Sequence, residues 1–411
     1  MDIDIAIIGG GAAGIGAARH LAGKGMRVML IEAAPRLGGR AWTLDLAGLK
    51  LDMGCAWLHS ASRNVWTGLA EAAGVEIYRR PAAWRRQYRD LGFSQAEQDA
   101  AGAAFDAWSQ RLIDSPPTDD VAAGALEPGG EWNNYIRTIV GFISGGRLEE
   151  MSAADYAAYE DASTDENWRM PGGYGALVAS HFPTEIGLKL SSPVHEISLT
   201  GKGVMLTTSG GAITARVAIL TCSTAMLSCG RIKLPAGAAA WQEAAAQLPL
   251  GHDEKVIFEL LEPDVFEPDS HLFGDPRDLK SMSYSIRPMG FPTIECYLGN
   301  DSAEIIIQEG PVAAYAAALD GLVALLGHGI RRQLRPLVST DWTRTTHIGG
   351  SYSYARPGQQ GARAALARPF EERLFFAGEA THATDFSTAH GAYDSGMRAA
   401  QEVLGLMARV R

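Results

Sequence analysis

Cysteine is scarce in this chain. Four occur in 411 residues, Cys55, Cys222, Cys229 and Cys296. They form neither a C-x-x-C pair nor a His/Cys cluster at zinc spacing, which excludes a disulfide scaffold and a zinc module. Free thiols in a reducing compartment are expected instead. Long apolar runs are also missing, and no stretch approaches the ~18 uninterrupted apolar residues of a membrane span. The chain opens MDIDIAII without a basic n-region, so no signal peptide is expected. It closes EVLGLMARVR, which reads as a final helix and not as a tail anchor. Basic charge is in deficit, with 36 Lys and Arg against 47 Asp and Glu, a formal net charge of -11. Phosphate recognition needs a basic footprint. Neither nucleic acid nor a membrane is therefore an expected partner, and the cytoplasm is the default location.

Apolar residues are plentiful, at 46% against 20% charged. A sizeable packed core is expected, and the length suggests two or three domains. Glycine is abundant too, with 47 residues, and its placement carries the first chemical signal.

DIDIAIIGGGAAGIGAARHLAGKGMRVMLIE reads as strand, glycine turn, helix and strand. Gly9, Gly11 and Gly14 form G-x-G-x-x-G. In this pattern the first glycine permits the sharp turn, the second admits a pyrophosphate, and the third lets the helix pack on the sheet. The pyrophosphate lies against the helix N-terminus, here Ala12 and Ala13, where free N–H groups and the dipole favour negative charge. Glu32 closes the second strand, placed to accept hydrogen bonds from a ribose diol. A dinucleotide site is expected. Arg36, Gly38, Gly39 and Arg40 follow as R-x-G-G-R, with close backbone approach at the glycines and arginines that can fork onto phosphate. A nicotinamide dehydrogenase does not need this second loop, so it points to FAD.

From here the chain resembles the flavin-containing amine oxidases, a family that includes monoamine oxidases, polyamine oxidases and the lysine-specific histone demethylases. LDMGCAWLHS holds Asp52, Gly54, Trp57 and His59. It is similar to a polyamine-oxidase stretch that runs along the flavin and puts its histidine at the substrate tunnel. Gly54, Cys55, Ala56 and Trp57 are thereby implied as cofactor neighbours and His59 as a tunnel residue. Val194 matches a position whose backbone meets adenine. Lys255 heads the hydrophobic run after Leu248-Pro249-Leu250. The resemblance makes it an active-site lysine that holds water near the flavin, with a pKa depressed by desolvation.

The C-terminal segments extend the likeness. DWTRTTHIGGSYSYARPG contains Trp342, a cofactor neighbour by resemblance, and Tyr352. If GGSYSY is a strand, Tyr352 and Tyr354 share a face. The resemblance makes Tyr352 one wall of a substrate cage. LFFAGEATHATDFSTAHGAYDSG supplies Gly378, Glu379, Thr388 and Ala389, implied to meet the flavin and its ribityl chain, the last two opening a final helix. Covalent-flavin monoamine oxidases carry cysteine where this chain has Ser351, so non-covalent FAD is expected. They also carry a second cage tyrosine where it has Thr388, which leaves the cage one-sided, as in polyamine oxidases. A length of 411 residues leaves no room for the demethylases' insertions.

The expected fold is α/β: a Rossmann-like FAD-binding domain with an inserted α+β substrate domain. The FAD part would take residues 1–78, 171–235 and 341–411, and the substrate part 79–170 and 236–340. WRRQYRD, FDAWSQRL and EEMSAADYAAYED read as amphipathic helices without a chemical motif. The expected reaction is oxidation of an amine C–N bond, with molecular oxygen as co-substrate and peroxide as by-product. A polyamine or another primary or secondary amine is the expected substrate. The alternatives are an L-amino-acid oxidase, which would need an arginine clamp such as Arg63, a desaturase-type relative, and an inactive flavin-holding partner.

Overall fold

A computed structural model describes residues 3–201 and 203–409. The main sheet is built on β1 (Ile3–Ile8). Apart from Asp4 its side chains are apolar and buried, as suits a central parallel strand. It pairs in parallel with β2 (Val28–Ile31) and β8 (Gly211–Leu220). β5 (Gly187–Lys189) lies outside β2, and β14 (Leu374–Phe376) runs parallel to the far half of β8. The near half of β8 continues as an antiparallel meander with β7 (Gly203–Thr208) and β6 (Val194–Thr200).

Helix α1 (Ala12–Leu21) covers one face of this sheet together with the last helix, α12 (Ala389–Arg409). Small residues let the two approach closely. A Cβ on Gly396 would sit 1.9 Å from the Ala13 carbonyl oxygen. Short α2 (Val65–Ala72) and α6 (Tyr174–Ser180) close that side. The opposite face packs α7 (Thr224–Ser228), α8 (Ala239–Ala246) and α11 (Ala362–Ala367).

The second sheet is antiparallel, in the order β10 (Ser270–Phe273), β11 (Ser283–Ile286), β12 (Thr293–Gly299), β9 (Asp253–Leu260) and β13 (Leu334–Ser339). α10 (Pro311–Leu326) lies behind it, with Ala314, Ala318 and Leu322 buried on one stripe, and α9 (Glu304–Glu309) precedes it. α3 (Gln95–Asp114), α4 (Asn133–Ser144) and α5 (Ala153–Ala162) gather around Trp108 as a separate helical cluster. A hairpin of β3 (Thr43–Leu46) and β4 (Leu49–Asp52) leads the chain from the first sheet toward β9.

Two local expectations change. WRRQYRD is not an α-helix. It is an irregular segment ending in a 3-10 turn at Tyr88–Asp90, where Arg89 adopts a left-handed φ of 52°. GGSYSY does not form a strand of a sheet. It is extended, with one isolated bridge between Ser353 and Leu250. Its backbone pairs with residues 249–251, through the Ser351 N–H to the Gly251 carbonyl, the Gly251 N–H to the Tyr352 carbonyl and the Tyr354 N–H to the Pro249 carbonyl, while Ser353 Oγ donates to Glu379 and the following Ala355 N–H to Asp155. Tyr352 and Tyr354 still reach the same neighbourhood, the end of α4 and the turn after it, where their hydroxyls meet the Phe142 carbonyl and Glu150.

Candidate active site

One elongated cavity of about 1020 Å³ runs from the first sheet to the second. At the β1 end the chain turns through Gly9 with φ 107°, and α1 begins at Ala12 with Gly11 as a cap that brings no side-chain acceptor. The helix N-terminus therefore faces the cavity with donors to offer. Gly9, Gly11, Ala12 and Ala13 line it, and Gly38 and Gly39 lie alongside. A Cβ on Gly38 would stand 2.1 Å from the Ala41 carbonyl, so this second loop too has room only for backbone. Gly14 is off the cavity wall. A Cβ there would stand 2.0 Å from the Gly9 oxygen, so its part is to let the helix close onto the turn.

The acid after β2 holds the mouth of that turn together. Glu32 accepts from the Gly10 N–H at 2.5 Å and the Ala34 N–H at 2.7 Å, and still lines the cavity with Val194 across from it. Arg36 hooks the Leu37 and Gly39 carbonyls and lies over the Trp42 ring at 4.5 Å. Arg40 donates to the Ser351 carbonyl and to Glu379, the latter at 3.0 Å. Glu379 also accepts from Ser353 Oγ at 2.7 Å and from the Ser387 N–H at 3.0 Å. Its pKa lies below the usual value: burial pushes it up, but Arg40, Ser353 and Arg363 outweigh that. Gly54, Cys55, Ala56, Trp57, Trp342, Gly378, Thr388 and Ala389 all border the same space.

Lys255, Tyr352 and His59 border it as well. Lys255 comes from β9, and its ammonium donates to the backbone carbonyls of Asp52 at 2.6 Å and Gly54 at 2.8 Å. It thereby ties the second sheet to the turn after β4. Burial lowers its pKa, against the pull of Glu295 and Asp52. The Tyr352 hydroxyl shares a 2.5 Å hydrogen bond with Tyr297 and donates to the Phe142 carbonyl at 2.9 Å. Burial raises the pKa of both phenols well above the ordinary value, so both stay neutral. His59 bonds Asn167 at 2.6 Å. Desolvation holds its pKa down to about 4, so it is an uncharged ring at neutral pH.

Sequence reasoning did not single out the polar residues that the second sheet turns to the cavity. Tyr297 stands opposite Lys255, Ser283 opposite Tyr297, and Glu295 opposite Ile257 in the register. Directly opposed residues share a face. Glu295 pairs with Arg169 at 2.9 Å, and that guanidinium lies 5.1 Å from the Trp57 ring. The alternation of T-I-E-C-Y-L-G in β12 was the available signal: Ile294, Cys296 and Leu298 point to the core, so Glu295 and Tyr297 point away from it. Asp253, also on the floor, keeps a buried carboxyl that accepts from Ser351 Oγ at 2.8 Å. Arg63, the residue available as a carboxylate clamp, is held by both oxygens of Asp385 at 2.9 and 2.5 Å, and it is not on the cavity wall.

A dinucleotide cradle at one end of the cavity thus meets a buried lysine and a tyrosine pair at the other. The profile of the flavin containing amine oxidoreductases matches residues 12–404. The chain belongs to this family. It is an FAD-dependent amine oxidoreductase. It is 26% identical to polyamine oxidase 2 of Arabidopsis thaliana, over 97% of this chain and 87% of that protein. It is also 26% identical to polyamine oxidase 4 of Oryza sativa subsp. japonica, over 97% and 88% of the two chains. A shorter match, 43% identical over 77 residues, joins it to pseudooxynicotine dehydrogenase of a Pseudomonas species, covering 19% of this chain and 15% of that protein. The residues present fit the cofactor: Gly9 and Gly38 leave no room for a Cβ, Gly11 keeps open space beside the second loop, and the uncapped α1 end lies there. Among the described residues no helix is long and apolar enough to cross a membrane.

Proposed function

We propose that the protein oxidises a primary or secondary amine at the carbon next to nitrogen, with oxygen as acceptor. Overall, amine, oxygen and water become aldehyde, ammonia or a smaller amine, and hydrogen peroxide. The observation that carries this is the meeting of Lys255 and Tyr352 with the glycine cradle in one cavity. In this reading residues 1–78, 171–235 and 341–411 bind FAD, and 79–170 and 236–340 bind the amine.

Gly9, Gly11, Ala12 and Ala13 would hold the pyrophosphate, Glu32 the ribose, and Val194 the adenine. Arg36, Gly38, Gly39 and Arg40 would close the second loop over it. Glu379 and Gly378 would meet the ribityl chain, and Gly54 to Trp57, Trp342, Thr388 and Ala389 would border the ring. Ser351 stands where the covalent-flavin relatives carry cysteine, which supports a cofactor held without a covalent bond. Bound FAD supplies the two-electron acceptor for hydride leaving the amine carbon.

The protein's own groups orient and dry the site. Neutral Tyr352, braced by Tyr297 and Phe142, presents its ring to the amine and excludes water. Lys255 keeps the 52–54 turn in place and, with its pKa lowered, can hold a water and exchange its proton. His59, neutral and fixed by Asn167, shapes the tunnel without attracting cations by charge. Polyamines head the substrates to test because polyamine oxidases match nearly the whole chain. Cys55, Cys222, Cys229 and Cys296 stand as free thiols, which supports a reducing cytoplasm.

A second reading changes only the acceptor: the local likeness to a dehydrogenase favours an electron carrier over oxygen. The test is anaerobic mixing of flavin-loaded protein with spermine, spermidine, putrescine, an arylalkylamine and an L-amino acid. Bleaching of flavin absorbance by an amine supports the proposal, and admission of air then reports the acceptor. If dithionite bleaches the flavin and none of the amines does, the proposal fails.

A further inference from the structure

The cavity wall includes a feature that the reaction itself does not require. Trp84 sits on the irregular segment between Tyr78 and Gln87, and 40% of it is exposed, unusual for so large an apolar side chain. It is nonetheless on the cavity wall, with Pro81, Ala82 and Arg85 of the same segment. Its ring meets Trp57 edge-on at 4.7 Å between centroids and lies 6.3 Å from His59. Trp57 in turn is backed by Arg169, whose charge is already matched by Glu295. The backbone of residues 79–85 is tied among the described residues by one hydrogen bond, from Arg86 N–H to the Ala83 carbonyl.

We propose that Trp84 is the specificity-determining residue of the substrate site, closing with Trp57 on a flat, uncharged portion of the amine that trails away from Lys255. This deepens the amine-oxidation reading and rests on it. The physical case has two parts. An exposed indole beside a second indole gains by covering its apolar face with an aromatic ring. Beside the two indoles, Glu295 is taken by Arg169, His59 is neutral, and Arg85 is paired with Asp106. Glu160 and Asp165 also line the cavity, but burial raises the pKa of Glu160 and Asp165 is exposed. An aromatic ring suits the indole pair itself.

The experiment compares wild-type protein, Trp84→Ala and Trp84→Phe by anaerobic flavin bleaching with 2-phenylethylamine and with putrescine. Titration with aniline is followed by the flavin absorbance shift. Aniline has no carbon–hydrogen bond at the position to be oxidised, so it reports binding alone. Trp84→Ala is expected to raise the half-saturating phenylethylamine and aniline concentrations about tenfold, the loss of one aromatic contact. Putrescine should change less than twofold by the same reasoning, and Trp84→Phe should recover most of the loss. Equal changes for both amines, no change, or a fall in limiting rate at unchanged half-saturation would overturn the assignment. Bleaching by putrescine but not by phenylethylamine would overturn it while leaving amine oxidation in place. Bleaching by neither, with dithionite effective, would sink amine oxidation and this inference together.

Discussion

Replacing Lys255 by methionine separates a catalytic lysine from a structural one. The side chain is shorter by its terminal nitrogen and loses two charge-assisted hydrogen bonds, to the carbonyls of Asp52 and Gly54. Such bonds contribute about 1.5–3 kcal/mol each. Against that, the substitution removes a buried ammonium whose desolvation costs several kcal/mol. The two effects are similar in size and opposite in sign, so stability should shift by no more than about 2 kcal/mol. For a chain of this size that is a melting shift of a few degrees. Amine oxidation should fall by about a hundredfold or more, the range of a positioned proton-handling group. The assays are urea unfolding, flavin content after gel filtration, and anaerobic bleaching. A variant that binds flavin, melts near wild type and oxidises amines at a third or more of the wild-type rate would refute the role. A variant that melts far lower and loses its flavin would show that the lysine is chiefly a strut.

Other expectations follow from buried charge. The Glu254 carboxyl is pushed up to about 7 by burial, from 4.5. The folded state therefore keeps its proton while the unfolded chain releases it, and the associated stability is lost as pH rises between these values. Its size is about 3 kcal/mol. Glu254→Gln should remove that slope, read as urea midpoints at pH 5 and pH 8 that lie closer together than in wild type. His59 is held near 4, so His59→Asn should lower the rate of amine oxidation while leaving its inflections between pH 6 and 9 in place. A shifted inflection would mean that the ring titrates in the working range. Asp155 grips Arg363 through both oxygens, at 2.6 and 2.7 Å, where each side chain is under 5% exposed. Asp155→Asn leaves that guanidinium buried without its charge partner and should cost about 3–5 kcal/mol in urea unfolding. A loss below 1 kcal/mol would contradict the buried-pair argument.

The glycine cradle was legible because its constraints are local. Gly9, Gly11 and Gly14 act within one turn, and Glu32 bonds a backbone N–H only 22 residues away. The same holds for α1, β2 and the opening of α12, where apolar period and small residues declare themselves. The resemblance carried Lys255 and Tyr352 into the expected site, and both border the one cavity. WRRQYRD misled because tryptophan, arginine and tyrosine at near-helical spacing were answering to tertiary contacts: Trp84 turns to Trp57, and Tyr88 to Phe266. GGSYSY misled because its backbone pairs only with the short stretch 249–251 just before β9, too briefly to make a strand of either sheet.

By itself, the sequence determined the parts set by neighbours along the chain, the glycine cradle and the alternating buried faces, while the candidate lysine and tyrosine came from the resemblance. Only the tertiary structure decided which charges are already matched. Arg169 and Glu295 are 126 residues apart, Arg63 and Asp385 322 apart, and Arg40 and Glu379 339 apart. Whether an ionisable group is free to meet a substrate depends on such partners and on burial, and both are properties of the folded chain rather than of spacing along it.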